Sequence, residues 1–175
     1  MEPGYVVEFI DDQKIICAVV LESKALRLRL LTENNREVKL STGRLTHRSR
    51  IRLDPAVHRD KLVTGLKDIA LRRRALSGQV DIRGLWEVLA SEQEWVDLPT
   101  MTALCFPDNP NGDHEAAVTR AFFADRLYFK FDTDQVFPHS EEKVGQILHQ
   151  RELEERQARL VDPGADWLTR VLKGQ

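Results

Sequence analysis

From residue 4 to residue 53, polar and apolar positions follow the two-residue period of extended backbone. Tyr5-Val6-Val7-Glu8-Phe9-Ile10 is rich in β-branched and aromatic side chains, Asp11-Asp12-Gln13-Lys14 is a polar turn, and Ile15-Ile16-Cys17-Ala18-Val19-Val20-Leu21 is a return strand, so the three make a hairpin. Leu26-Arg27-Leu28-Arg29-Leu30 alternates strictly, with leucines toward a core and arginines toward water. An Asn-rich turn over 32–37 leads into Val38-Lys39-Leu40, and a less regular stretch runs from Leu45 to Ile51-Arg52-Leu53. About five short strands in roughly fifty residues predict a small closed barrel, SH3-like or of the oligonucleotide-binding, cold-shock-like kind, because closure removes exposed edges.

After Asp54-Pro55 the period becomes helical. Leu62, Val63, Leu66, Ile69, Ala70 and Leu71 recur at helical spacing over 58–76, and Ser77-Gly78 stops that helix. A second helix starts at the cap Asp81 with Ile82, Leu85, Trp86 and Leu89 on one face. A short third starts at Asp97 with Pro99 in its first turn and Met101, Leu104 and Cys105 inward. A fourth runs over 113–125, and the period then returns to two for a hairpin, 127–131 and 135–137. Helices followed by a hairpin predict a winged helix, a helix-turn-helix domain over 58–139. From Ser140 a polar helix is predicted to about residue 160, broken by Asp162-Pro163-Gly164, with one more helix from Trp167, whose exposed ring suggests continuation in a parent protein. The expected fold is α+β: a small N-terminal β-barrel over 1–54, the winged-helix domain, and C-terminal helices over 140–175 as a connector toward a catalytic domain.

With 42% hydrophobic and 31% charged residues, no apolar run long enough for a membrane span and no basic, cleavable leader, the expected location is the cytoplasm. Cys17 and Cys105 are far apart in apolar surroundings, as inert reduced thiols are. No catalytic constellation stands out. Asp11-Asp12 and the Asp125, Asp132, Asp134 group fall at hairpin turns, where Asp serves turn geometry, and the five histidines show no metal-ligand spacing. Neither a metal nor a cofactor is expected in this chain.

The net charge of −2 conceals an uneven distribution. Between Ser23 and Arg52, nine cations stand against two carboxylates, a local balance of +7 that leaves −9 for the rest. Arg27, Arg29, Arg36, Lys39, Arg44, Arg48, Arg50 and Arg52 are the candidate RNA contacts, since alternate strand positions set cations about 7 Å apart, suited to tracking phosphates. The bland alternative is the wet side of amphipathic strands, and only Tyr5 and Phe9 offer aromatic stacking in the barrel. Arg72, Arg73, Arg74 and Lys130 are possible secondary contacts, although the three arginines also suit a solvated helix end. The helix at 113–125 carries three acids against one Arg, which disfavours a major-groove DNA regulator.

Five segments together resemble the N-terminal region of ribonuclease II-family exoribonucleases: Gly4-Tyr5-Val6-Val7-Glu8-Phe9, Leu30-Leu31-Thr32-Glu33-Asn34-Asn35-Arg36-Glu37-Val38, Asp97-Leu98-Pro99-Thr100-Met101-Thr102-Ala103-Leu104-Cys105-Phe106, Asp125-Arg126-Leu127-Tyr128-Phe129-Lys130 and Phe137-Pro138-His139-Ser140-Glu141-Glu142-Lys143-Val144. None is a catalytic signature; their order and spacing carry the likeness. In the branch resembled, a small barrel and a winged helix precede the catalytic domain. The resemblance implies a parent that degrades single-stranded RNA from the 3′ end by magnesium-dependent hydrolysis, with the Mg2+ ligands in a catalytic domain that has no counterpart here. The expected role is therefore non-catalytic: guiding single-stranded RNA, in contact with the parent's own catalytic domain. The alternatives are a protein-interaction or scaffolding module and, behind it, a winged-helix DNA regulator.

Overall fold

The structure is a computed structural model; it describes residues 2–132 and 134–172, and side chains as far as residue 160. Strands β1 (Tyr5–Asp11) and β2 (Lys14–Lys24) form the expected hairpin. Its tip residues Asp12 and Gln13 both adopt positive φ, the backbone that matches strand twist in a two-residue turn. β3 (Arg27–Thr32) and β4 (Glu37–Ser41) extend the meander, and a 3-10 turn (Thr42–Arg44) leads to β5 (Leu45–Arg52), which returns to pair with β1. The sheet is antiparallel with order β4-β3-β2-β1-β5. Gly4 anchors the corner ahead of β1: its N–H donates to Val20 O at 2.7 Å, its carbonyl accepts from Leu53 N at 2.7 Å, and its φ is +95°. A Cβ there would stand 2.5 Å from Leu53 O, so only glycine fits.

Each face of this sheet carries a buried apolar cluster. Val6, Cys17, Val19 and Leu31 face one core, and Val7, Phe9, Ala18, Val20, Leu28, Leu30 and Leu40 form the other. This explains why residues 15–21 read as an unbroken apolar run: a strand covered on both sides has no solvent face for polar residues.

The first core is completed by α1 (Arg59–Ser77), whose Leu62, Val63, Leu66, Ile69 and Ala70 lie on the sheet. Expected as the first helix of a second unit, α1 thus shares its core with the strands of the five-stranded sheet, and Leu71, read as part of its stripe, is 63% exposed. A separate core gathers Ile82 of α2 (Ile82–Leu89), Leu98 and Met101 of α3 (Leu98–Cys105), Val118 and Phe122 of α4 (Gly112–Ala124), and Phe129 and Val136 of the hairpin β7 (Phe129–Asp132) and β8 (Gln135–Pro138). Asp81, Asp97 and Asn111 cap the three helices through side-chain bonds to amides of the first turn. A two-residue strand β6 (Val96–Asp97), too short to read from a pattern, adds to the hairpin in the order β6-β8-β7.

The last helix, α5 (Glu141–Leu172), corrects the expected break at Asp162-Pro163-Gly164. Proline holds φ in the helical range and forfeits one amide donor with a local clash, a cost of about 3 kcal/mol that can kink a helix without ending it. Residues 151–160 are exposed on every side and laced by pairs such as Arg156 with Glu152 at 2.8 Å. The expected helix from Trp167 is the end of α5, and that side chain lies outside the described residues.

Candidate nucleic-acid interface

Directly opposed residues of an antiparallel pair share a face. Arg29 opposes Lys39, while Leu28 opposes Leu40, so Arg27, Arg29 and Lys39 stand opposite to the leucine core. Arg48 opposes Val7 and Arg52 opposes Tyr5, residues of the leucine-core side. The two sets of strand cations therefore occupy opposite faces of the sheet.

Their availability differs too. Arg29 is held by Glu22 at 3.4 Å and Glu37 at 3.5 Å. The guanidinium of Arg52 lies 4.8 Å from the centre of the Tyr5 ring, donates to Pro3 O, and stands 3.7 Å from Glu2. Arg48 donates to Thr42 O at 3.2 Å. Arg27, Arg36, Lys39, Arg44, Arg48 and Arg50 form no ion pair with a carboxylate among the described residues.

β5 is an edge strand whose register with β1 shifts twice, and bulges of this kind re-aim side chains. Along it opens a cleft of about 760 Å3, bounded by His47, Arg48 and Arg50 on the strand and by Pro99, Gly112 and Glu115 of α3 and α4. At the head of α4, Asn111 Oδ1 accepts from the amides of Asp113 and His114, and His114 Nδ1 accepts from the Asn111 amide. Gly112 lies against β5, its Cβ position standing 3.4 Å from Ser49 Cβ. His47, with a side chain 5% exposed, sets Nε2 3.4 Å from Glu115 Oε1. The interaction with His47, followed by the positive field of Arg50, holds the Glu115 carboxyl below its ordinary range against the opposing effect of burial.

The secondary candidates separate. Arg73 is fully buried, which corrects its reading as a surface RNA contact: its Nε donates to Asp113 Oδ1 at 2.8 Å and its Nη1 lies 3.4 Å from Glu8 Oε2. Arg72 is exposed, 3.6 Å from Asp113. Arg74 is exposed beside Lys14 and Arg120 at a second cleft, and Lys130 is exposed with its Nζ 5.8 Å from the centre of the Trp95 ring.

Arg120 completes the network. Its Nε donates to Glu8 Oε2 at 3.1 Å and Oε1 at 3.3 Å, with Nη2 also on Oε2. One carboxylate on β1 thus joins α1 and α4, tying the sheet to the helical core. Burial, with the nearby Glu8 charge, pushes the Cys17 thiol up to about 12. Among the described residues no group of three or more His, Cys, Asp or Glu could hold a metal ion, and no helix is long and apolar enough to cross a membrane.

No protein-family model, no curated protein and no solved structure matches the chain.

Proposed function

We propose that this chain is the RNA-guiding, non-catalytic N-terminal region of a ribonuclease II-type exoribonuclease, binding the backbone of single-stranded RNA through the basic surface of its sheet. The observation that carries this reading is that Arg48 and Arg50, exposed strand cations without carboxylate partners among the described residues, stand beside a concave cleft. An isolated cation row on an edge strand also deters edge-to-edge pairing, but that role needs no cleft.

The resemblance to that family enters as a second support, since its five segments fall on β1, the β3–β4 turn, β6 with α3, the entry to β7, and β8 with the start of α5. A four-strand meander whose fifth strand returns to the first after a 3-10 turn favours an SH3-like reading of the barrel. The order α2-β6-α3-α4-β7-β8, with strands β6-β8-β7, favours a winged helix. Its α4, however, buries Asp113, Ala116, Ala117, Val118, Thr119, Ala121 and Phe122, so it has little free face to lay in a major groove. The magnesium chemistry of the family belongs to the parent's catalytic domain, and no residue here is assigned to it.

A second reading, a protein-contacting module, is favoured by Val88 and Leu104, 72% and 54% exposed beside one another on α2 and α3, and by the exposed length of α5. Fluorescence-anisotropy titration of a labelled oligoribonucleotide at two salt concentrations separates the two. Salt-sensitive binding that drops in the Arg48→Ala, Arg50→Ala, Arg52→Ala variant supports the RNA reading; binding that is undetectable, or indifferent to those arginines, leaves the protein-contacting one.

A further inference from the structure

The barrel's cations lie on opposite faces of one sheet, and a single strand of RNA of a few nucleotides can follow only one of them. On the β3–β4 face the charge is partly spent: Arg29 is paired with Glu22 and Glu37, and Lys24 with Glu22. On β5, Arg48 and Arg50 are exposed and unpaired by carboxylates among the described residues. We infer that the cleft between β5 and the start of α4 is where the phosphodiester backbone of single-stranded RNA is held, and that Glu115 opposes its entry. This rests on the RNA-binding reading and assigns its site.

Three features argue for the cleft. At about 760 Å3 it is large enough for a nucleotide, and of the size that small-molecule sites commonly have. Arg48 and Arg50 line the cleft from its strand side. Pro99 supplies an apolar surface for ribose or base beside these charges.

Glu115 is the acidic group of that lining. The His47 bond and the Arg50 charge keep it ionised, so it repels phosphate and competes for Arg50. Its removal as a charge should therefore strengthen binding, an effect that loss of folding cannot imitate. Glu115→Gln keeps an acceptor for His47 and preserves the shape of the cleft.

The test compares three variants of the whole chain by anisotropy with a fluorescent oligouridylate at low salt, each checked for a native unfolding transition. Arg48→Ala with Arg50→Ala should weaken binding by more than tenfold and reduce the salt slope by about 1.4. Glu115→Gln should tighten it by about fivefold, the worth of one unit charge near a phosphate in a watery site. Arg27→Ala with Lys39→Ala, on the other face, should change it by less than about twofold. Equal losses in the two double variants, or no gain in Glu115→Gln, would overturn the cleft while leaving RNA binding intact. Absence of binding by the unaltered chain would overturn both.

Discussion

Glu8 is fully buried on β1 with two arginines aimed at its carboxylate, so replacing it by Gln tests how the sheet is tied to the helices. The substitution keeps the shape and one acceptor but removes the negative charge. Arg73 would then keep only Asp113 at 2.8 Å, and Arg120 would lose the charge behind all its contacts to this side chain. Removing one member of a buried ion pair typically costs about 3–5 kcal/mol, because the remaining charge has left water without compensation. Arg73→Met should cost less, since Glu8 retains Arg120 and Asp113 retains Arg72. Replacing Glu8, Arg73 and Arg120 together by Leu, Met and Met should recover most of the loss, as apolar packing then stands where charge was. Urea unfolding followed by circular dichroism measures all three. A Glu8→Gln cost below about 1 kcal/mol would show that water or rearrangement satisfies these arginines and that Glu8 does not tie the sheet to the helices.

Three further outcomes follow from the geometry. Gly4→Ala should destabilise by about 2 kcal/mol in the same unfolding assay, because positive φ and the close Leu53 carbonyl both exclude a Cβ; a neutral change would show that the corner relaxes freely. In native protein treated with iodoacetamide at about pH 8, mass spectrometry should find Cys105 alkylated well before Cys17, whose buried thiol has its pKa raised to about 12; equal rates would contradict the burial. Glu115, depressed in the folded state, adds stability that is present above its unfolded pKa and is lost as pH falls through the folded value. The stability advantage of the native chain over Glu115→Gln should therefore shrink between about pH 6 and pH 3, and by well under 1 kcal/mol for so exposed a carboxylate; an advantage that grows on acidification would contradict the assignment.

Much of the fold was legible because local chemistry and tertiary packing agree. Alternation in Leu26-Arg27-Leu28-Arg29-Leu30 marks β3, and Asp81 and Asp97 mark helix starts with side chains that bond first-turn amides. The helical stripe itself marks Arg73 as a buried position. Arg73 follows Leu66 by seven positions and Ala70 by three, so it shares the buried face of α1, and a cation there needs a buried carboxylate. Glu8, alone among Val6, Val7 and Phe9, was that partner. What could not be read depends on distance in sequence: β6 exists only because β8 receives it, Leu104 is 54% exposed despite an inward pattern, and the two faces of the basic sheet follow from strand order and bulges. The cleft arises from α4 lying against β5, a contact that no local pattern encodes.

The central claim is that single-stranded RNA is bound through phosphates by the arginines of β5. Its most direct measurement is the slope of log affinity against log salt concentration for an oligoribonucleotide, for the native chain and for Arg48→Ala, Arg50→Ala, Arg52→Ala. With each phosphate contact on a single strand worth about 0.7 in that slope, the variant's should be shallower by about 2 if all three arginines touch phosphate, or about 1.4 if Arg52 stays with Tyr5. Equal slopes in the two proteins would contradict the account, since phosphate contacts by these side chains cannot be removed without changing the number of counterions released.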